Sequence, residues 1–327
     1  MLPARSAVLA LITLLALHAQ RCLAWGNLGH QTIGFIAQEF LAPNALSFVQ
    51  TTLGAQYNFS LGPAATWADM VKSEPAFEWS KNLHFVDAED DPPTSCSVEE
   101  LRDCASQVCV LAAIANYTTR VVDPTLDAEQ IQEALKFIDH FVGDIGQPLH
   151  VEAVAAGGND IDATCSGSRT NLHAAWDTGM LTKNVDAVHG GTSEQYAADL
   201  IQEIKTGAFS SLTADWLSCT STTEPVNNKR ADEDAGPSIE RDVRSLIAAR
   251  DADATVVPLE CPLVWARESN AFDCSTVFNF EPTVDPELCE GTYFTNAIPV
   301  VDLQLAKQGF RLAAWLNVIF DGATMLA

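Results

Sequence analysis

The sequence predicts a mainly α-helical fold that forms one domain. Hydrophobic residues recur at helical spacing in several segments, and the clearest runs from about residue 126 to residue 146. Few segments alternate hydrophobic and polar residues as a half-buried strand does, and no repeat of fixed period is present. With 327 residues, of which 47% are hydrophobic, the chain can bury a sizeable core.

The N-terminal segment is typical of a secretory signal peptide. Arg5 provides a positive charge, and residues 7–17 form an apolar run that is too short to span a bilayer. Cys22 and Ala24 place small residues at positions −3 and −1 of a cleavage site. We therefore predict a signal peptide at residues 1–24 and a secreted mature chain at residues 25–327, with an uncleaved anchor as the alternative. No later stretch is apolar enough for a membrane span.

Four segments of the mature chain have the periodicity of a helix. One follows residue 24 and ends before Pro43, one runs at about 126–146, one begins near Asn171, and one runs at about 303–320. Asp123-Pro124 precedes the second segment and Pro148 follows it, which are suitable start and stop signals for a helix.

The segment from about residue 220 to residue 260 is polar, acidic and weakly patterned. This composition predicts a surface insertion. The dibasic pair Lys229-Arg230 offers a second interpretation, a processing site, because exposed loop tips are favoured for cleavage.

Cysteine usage agrees with secretion. Removal of Cys22 with the signal leaves eight of nine cysteines, and an even number in a secreted chain indicates disulfides. Asn58 and Asn116 each begin a triplet that glycosylation enzymes accept, although such triplets are common by chance.

The charge balance limits the possible partners. The chain has 43 acidic and 18 basic residues, which gives a formal net charge of −25. A protein that holds duplex DNA by its phosphates normally carries a basic stripe, so this mode of binding is disfavoured. If the protein handles a phosphate, the positive charge has to be local, and bound metal ions are the obvious source.

Two histidine–aspartate pairs indicate a metal site. His140 with Asp144 and His173 with Asp177 are each four residues apart on a predicted helix, so each pair projects from one face. His150 lies close to the first pair, and imidazole with carboxylate is a zinc-type ligand set. A single pair of this kind is more often a surface ion pair or a satisfied core histidine. The two pairs gain weight together because both lie in apolar stretches, where an unpaired polar group is costly.

The predicted new N-terminus adds a further candidate ligand. A free α-amine at Trp25 loses its proton readily to a metal, and its own carbonyl oxygen can complete a chelate ring with His30 nearby. From these residues alone, an ordinary N-terminal helix with an incidental histidine is the favoured interpretation.

Several stretches, taken together and in order, resemble fungal zinc-dependent single-strand nucleases and 3′-nucleotidases, relatives of bacterial zinc phospholipase C. They are WGNLGHQTIGFIAQ, WADM, KNLHFVDAEDDPP, FVGDIGQPLH, AGGN and NLHAAWDT. The resemblance continues in CPLVWARESNAFDC and LQLAKQGFRLAAWLN. It covers nearly all of residues 25–320 apart from the polar insertion.

The resemblance implies a mainly α, single helical domain of the zinc phospholipase C and single-strand nuclease type, with a cleft that holds three Zn²⁺ ions. Its ligands here would be Trp25 (amine and carbonyl) and His30 for one ion; Asp69, His84 and His140 for a second; Asp144 bridging these two; and His150, His173 and Asp177 for the third.

The resemblance also implies roles beyond metal binding. Asp69, Lys72 and Asp144 would take part in catalysis, the ring of Phe85 would stack on a base, and Asp87 would contact the base edge. Lys72 stands where the fungal relatives usually have an arginine that contacts the phosphate. Lysine keeps the charge but lacks the bidentate fork of arginine.

The activity implied is that of a secreted, monomeric endonuclease without a membrane partner. Metal-activated hydroxide would attack the phosphate, releasing 5′-phosphorylated products from single-stranded DNA and RNA, and 3′-nucleotides would also be substrates. One alternative is a zinc phospholipase C-like phosphodiesterase, but Phe85 and Asp87 favour a base over a lipid headgroup. The other is a non-catalytic secreted protein stabilised by zinc, which the intact set of ligand types disfavours.

For the cysteines, the resemblance implies the pairs Cys96–Cys274 and Cys104–Cys109. Cys219 and Cys261 bracket the polar insertion and are expected to pair around it, which leaves Cys165 and Cys289 as the last pair by elimination.

Overall fold

The computed structural model describes residues 25–226, 256–280 and 286–326, and this part of the chain is mainly helical, as predicted. The predicted signal peptide and the Lys229-Arg230 pair lie outside the described residues. The α-helices are α1 Asn27–Glu39, α2 Pro43–Leu53, α3 Leu61–Ala64, α4 Trp67–Val71, α5 Glu100–Asp103, α6 Val110–Arg120, α7 Ala128–Asp144, α8 Leu172–Ala174, α9 Met180–Val188, α10 Ser193–Lys205, α11 Thr213–Trp216, α12 Glu260–Phe272 and α13 Gly291–Asp321.

Shorter helical turns connect these helices. Ala55–Tyr57, Glu78–Leu83 and Pro148–Val151 are 3₁₀ helices, and Ala175–Gly179 and Asp273–Val277 are π-helical. Within the described residues, no helix is both long and apolar enough to span a bilayer.

The four predicted helices are present, and three have nearly the expected bounds. α7 begins after Asp127, whose side chain accepts a hydrogen bond from the Gln130 backbone NH. Its apolar positions, such as Leu135 and Phe141, are buried, as the helical spacing predicts. The expected helix from Asn171 is α8, the π-helical turn and α9 in succession.

The last helix is longer than predicted. α13 begins at Gly291 rather than near Leu303, and it contains Pro299. A proline inside a helix removes one backbone donor and usually marks a boundary, which is why the sequence pattern placed the start too late. The helix ends at Gly322, which adopts a left-handed φ of 80°.

The core forms around α13, which packs against α1, α2, α7 and α10. α7 is therefore enclosed between α6 on one side and α13 on the other, and residues 134–144 of α7 are buried. This enclosure matters for function because α7 carries His140 and Asp144 into the interior.

A two-stranded antiparallel hairpin leads into α8. β1 (Asp162–Cys165) pairs with β2 (Ser168–Asn171), with Asp162 opposite Asn171. The Asn171 side chain then accepts a hydrogen bond from the Ala174 backbone NH, which starts α8 immediately after the strand. His173 is thereby placed at a fixed position directly beyond the hairpin.

Four disulfides connect the described segments. They are Cys96–Cys274, Cys104–Cys109, Cys165–Cys289 and Cys219–Cys261, the same pairs that were expected. Cys219–Cys261 joins residues on the two sides of the segment 227–255, and close to it the Val226 backbone NH donates to the Pro258 carbonyl. The chain is thus closed at the base of the predicted insertion.

Candidate metal centre and cleft

The expected ligand side chains converge from several segments of the chain onto one region. All of them are buried, with at most 6% of each residue exposed. The expected ligand residues are His30, Asp69, His84, His140, Asp144, His150, His173 and Asp177. Burial of so many ionisable groups is costly unless they are paired or bound to a cation. Their ligating atoms fall into three groups, and within each group the atoms lie within 4.8 Å of one another.

The first group consists of His30, His140 and Asp144. His30 Nε2 lies 3.3 Å from Asp144 Oδ1, and the two imidazole rings stack with their centroids 3.7 Å apart. α1 can approach α7 this closely because residue 143 is glycine, where a Cβ atom would lie 3.0 Å from His30 Nδ1. Trp25 is fully buried and lies just before α1.

The second group consists of Asp69, His84 and His140. Asp69 Oδ1 lies 3.6 Å from His84 Nδ1 and 3.5 Å from His140 Nε2. Asp144 Oδ2 lies 3.0 Å and 3.3 Å from the same two nitrogens. One oxygen of Asp144 therefore faces the first group and the other faces the second, the arrangement that a bridging carboxylate needs.

The third group consists of His150, His173 and Asp177. His173 Nε2 lies 3.0 Å from Asp177 Oδ2, and His150 Nε2 lies 3.8 Å from Asp177 Oδ1. Asp177 belongs to the π-helical turn, a helix type that is frequent at functional sites. The Gln147 amide donates a 2.6 Å hydrogen bond to Asp177 Oδ1 and so fixes this carboxylate from behind.

Backbone carbonyls set the orientation of three imidazole rings. The Nδ1 of His140 lies 2.6 Å from the Ala65 carbonyl oxygen, and that of His173 lies 2.6 Å from the Gly157 carbonyl oxygen. The Nδ1 of His150 lies 2.9 Å from the His84 carbonyl oxygen. With the proton on Nδ1, each ring presents a neutral Nε2 to its group, as a metal ligand should.

Burial also favours the neutral form of three histidines. Loss of solvation lowers the pKa of His30 and His84 well below the ordinary value and lowers that of His150 to about 4. These rings have a free lone pair at neutral pH. His140 differs: burial would lower its pKa, but Asp144 and Asp69 raise it to about 9. The two carboxylates thus require a positive charge between them, either a proton or a metal ion.

Unsatisfied polar atoms provide a test of whether metal ions fit here. Within the part of the chain that the structure describes, several buried atoms of the three groups have no hydrogen-bond partner: both ring nitrogens of His30, Asp69 Oδ2, His84 Nε2, Asp144 Oδ1, His150 Nε2 and Asp177 Oδ2. Such atoms are rare in folded proteins because each costs free energy. Cations coordinated by nitrogen and oxygen would satisfy those atoms that face the three groups, such as Asp144 Oδ1, His150 Nε2 and Asp177 Oδ2, and the donor set is one that zinc prefers.

A cavity of about 610 Å³ is lined by side chains from the second and third groups. Asp69, His84, His150 and His173 contribute to its lining. Phe85 and Asp87 lie on its wall, Phe85 half-buried and Asp87 exposed. Partial loss of solvation at the cavity wall, together with the neighbouring Glu89 and Asp103, raises the pKa of the Asp87 carboxyl. The cavity therefore combines an apolar ring and a hydrogen-bonding carboxyl with the candidate metal centre.

Lys72 lies in the same cavity, one turn after Asp69 on the chain. Its Nζ is 2.6 Å from Asp69 Oδ1, and its side chain is 16% exposed. The ammonium group thus stands between a candidate metal ligand and the open space of the cavity, where an anionic substrate group would enter.

The structure adds residues that sequence reasoning missed. Lys81 and Asn82 line the cavity, and Gln147 holds Asp177. Gln147 lies within the quoted FVGDIGQPLH stretch, between the candidate ligands Asp144 and His150, and this position was the available signal. Lys81 and Asn82 begin the KNLHFVDAEDDPP stretch, just before the candidate ligand His84, and this position was likewise the available signal.

Other singled-out residues lie away from the cavity. His189 follows α9, and its Nδ1 is 2.7 Å from Asp199 Oδ2. Asn58 is exposed beyond the 3₁₀ helix 55–57, whereas Asn116 is half-buried within α6. Asn58 is therefore the more accessible of the two possible glycan acceptors.

Comparison with known proteins identifies the family. Residues 25–321 match the model of the S1/P1 Nuclease family, so the match begins at Trp25. The chain is 38% identical to Nuclease PA3 of Penicillium sp and to Nuclease P1 of Penicillium citrinum, over 90% of this chain and 97% of each relative. It is 37% identical to Nuclease S1 of Aspergillus oryzae, over 98% of this chain and 97% of that relative. The resemblance noted in the sequence is thus confirmed, and the chain belongs to the S1/P1 nuclease family.

Proposed function

We propose that this chain is a secreted, zinc-dependent endonuclease that hydrolyses single-stranded DNA and RNA to 5′-phosphorylated products and also acts on 3′-nucleotides. The observation that carries the proposal is the convergence of three buried histidine–aspartate groups, two of which contribute side chains to a cavity with Phe85 on its wall. Membership of a nuclease family supports the same activity.

Three zinc ions would be held by the three groups. Trp25, His30 and Asp144 would bind one ion; Asp69, His84, His140 and Asp144 a second; and His150, His173 and Asp177 a third. When bound, divalent ions of this kind stabilise the developing negative charge of a phosphate and lower the pKa of water toward neutrality.

The protein's own residues position the substrate around this centre. Phe85 provides a ring on which a splayed base can stack, and Asp87 can accept a hydrogen bond from a base NH. Lys72 brings an ammonium group to the phosphate and stays oriented through Asp69. A base inside a duplex cannot reach such a wall without leaving its stack, so single strands are preferred.

The acidic exterior reinforces this preference. With a net charge of −25, the chain repels the dense phosphates of a duplex, while the proposed metal ions would concentrate positive charge at the cavity. A mononucleotide or a flexible strand can approach this centre with few phosphates near the acidic surface.

Nucleotide release tests the proposal. The protein cleaved after Ala24 and loaded with zinc should release nucleotides from single-stranded DNA, from RNA and from 3′-AMP, and a chelator should abolish the release. Asp177→Asn should lower kcat/KM at least about 100-fold, since it removes a ligand. Asp199→Asn, which alters the similar His189–Asp199 pair away from the cavity, is the matched control. Absence of turnover of all three substrates by the zinc-loaded protein would refute the nuclease assignment.

The role of Trp25 is tested separately by retaining one extra residue before it. The added residue converts the α-amine to an amide, so we expect the protein to bind one zinc ion fewer per chain and to lose activity. Elemental analysis gives the zinc content. Unchanged zinc content and activity would show that the N-terminus is not a ligand.

A further inference from the structure

One rim of the cavity has no role in the function proposed above. It is formed by the 3₁₀ helix Glu78–Leu83, from which Lys81 and Asn82 line the cavity. Both side chains are exposed. The rim follows the loop after α4 and leads directly to His84, so it is continuous with the candidate metal centre.

Trp79 on the same helix is an exposed aromatic side chain on a rigid support. Its indole NH donates a 2.9 Å hydrogen bond to the Ala76 carbonyl oxygen, and its ring lies 5.9 Å from that of Phe137. It nevertheless remains 54% exposed. In a 3₁₀ helix, side chains three residues apart lie above one another, so Trp79 and Asn82 share one face. The exposed indole is therefore adjacent in the helix to a side chain that lines the cavity.

Lys81 adds a positive charge to this rim. The cavity lining contains four carboxylates and two ammonium groups, and the other ammonium group, Lys72, is already bonded to Asp69. Lys81 Nζ lies 2.8 Å from Glu78, with 46% and 67% of the two side chains exposed. An exposed ion pair of this kind contributes little, so a phosphate can replace Glu78 as the partner at small cost.

We propose that Trp79, Lys81 and Asn82 form a second nucleotide subsite, which we call the rim site. It binds the nucleotide that adjoins the one on Phe85 in a single strand: Trp79 stacks on the base, Asn82 contacts its polar edge and Lys81 contacts the phosphate. This combination of an exposed ring with a cation is the usual means of holding single strands without sequence preference. The inference rests on the proposed nuclease function and extends it from a single nucleotide to a strand.

The length dependence of cleavage tests the rim site. For each protein, kcat/KM is measured for an octadeoxyadenylate and for 3′-AMP, which has no second nucleotide to reach the rim, and the ratio of the two values is compared. Trp79→Ala should lower this ratio about tenfold, the usual effect of losing one stacked base. Lys81→Ala should lower it several-fold and reduce the slope of log(kcat/KM) against log[salt] for the octamer by about 0.7, the value for one phosphate contact on a single strand.

The control is Lys183→Ala, which breaks a comparable exposed pair with Glu290 at 3.3 Å, away from the cavity. Its ratio should equal that of the wild type. The ratio of Kd values for a phosphorothioate octamer and for a mononucleotide with a 3′-phosphorothioate is measured in parallel because it requires no turnover.

Two results would overturn the rim site. One is an unchanged length ratio in both Trp79→Ala and Lys81→Ala. The other is an equal loss on the short and long substrates, which would mean that Trp79 serves only the aromatic cluster with Phe137. Failure of the nuclease assignment itself would look different, because the wild-type protein would then cleave neither substrate.

Discussion

Gln147 illustrates how a single side chain can define a metal ligand without touching the metal. It is fully buried, and its two amide ends are both used: Nε2 donates to Asp177 Oδ1 at 2.6 Å, and Oε1 accepts from the Leu149 backbone NH at 2.7 Å. The amide cannot turn without losing one of these bonds. Asp177 Oδ2 is therefore directed to His173 and stays available for a cation.

Gln147→Leu should weaken zinc binding at the third group about 10- to 100-fold, since the replacement releases the orientation of Asp177. Competition with a chelator measures the affinity, and the other two ions should remain bound. Gln195→Leu is the matched control, because Gln195 donates to Asp199 Oδ1 at 2.8 Å on the exposed surface. Equal zinc affinity in wild type and Gln147→Leu would contradict a positioning role.

Among individual residues, the sequence predicted those candidate ligands that are a helical turn apart. His140 with Asp144, and His173 with Asp177, are four residues apart, and the structure brings both pairs into the same site. Gln147 could not be assigned in this way because its partner lies 30 residues further along the chain. Such contacts depend on how elements meet, and no local pattern encodes them.

At the scale of elements, the N-terminal residues are attached to the π-helical turn that carries Asp177. The Gly26 backbone NH donates to the Asp177 carbonyl oxygen at 2.7 Å. A Cβ atom on residue 26 would lie 2.4 Å from Thr178 Oγ1. The start of α1 and the third metal group therefore share one contact, which only glycine permits.

Gly26→Ala should displace the N-terminal residues, lower the free energy of unfolding by about 1–3 kcal/mol and reduce zinc binding. Denaturant unfolding and zinc content provide the two measurements. The double variant Gly26→Ala, Thr178→Ala should regain much of the stability and of the zinc content. Without the Thr178 hydroxyl, the atoms nearest to the new Cβ at residue 26 would be 3.2 Å and 3.4 Å away. If the double variant is as impaired as Gly26→Ala, the contact with Thr178 is not the cause.

The ends of a helix were predictable where the capping residues and prolines in the sequence coincide with the ends that the fold imposes. α7 has the expected extent because Asp127 caps its start and apolar residues line its buried face. α13 extends further than predicted because its first turns make tertiary contacts that a local pattern does not show: the Tyr293 hydroxyl accepts from the Trp176 indole NH and donates to the Val277 carbonyl oxygen. The π-helical turn at Ala175–Gly179 is equally absent from the periodicity, since it inserts into an otherwise regular helical pattern.

At the scale of the whole molecule, acidic groups are present in the interior as well as on the surface. Asp273 is fully buried, and one of its oxygens has no hydrogen-bond partner among the described residues. Burial, reinforced by Glu152 and Asp90, raises the pKa of the Asp273 carboxyl well above its ordinary value. The folded protein thus keeps a proton there that the unfolded chain releases above about pH 4.

The sign of the pH effect follows from this proton. A raised pKa in the folded state stabilises the fold below the ordinary pKa, and the stabilisation is lost as pH rises. We compare the free energy of unfolding of the wild type with that of Asp273→Asn. The wild-type value minus the variant value should decrease as the pH rises from 5 to 7, by at most about 1.4 kcal/mol per pH unit. Denaturant titrations at each pH measure it, and the exposed Asp186→Asn is the control. A pH-independent difference would mean that Asp273 is ionised in the folded protein.

Three disulfides determine what a protease can do to this chain, because Cys96–Cys274, Cys165–Cys289 and Cys219–Cys261 each join residues on the two sides of the segment 227–255. Any cut between Cys219 and Cys261 leaves the N-terminal and C-terminal pieces covalently linked by these three bridges. α13, which the core needs, belongs to the C-terminal piece and could not diffuse away. A nicked molecule would migrate as one band on a gel until a thiol reductant is added and then as two.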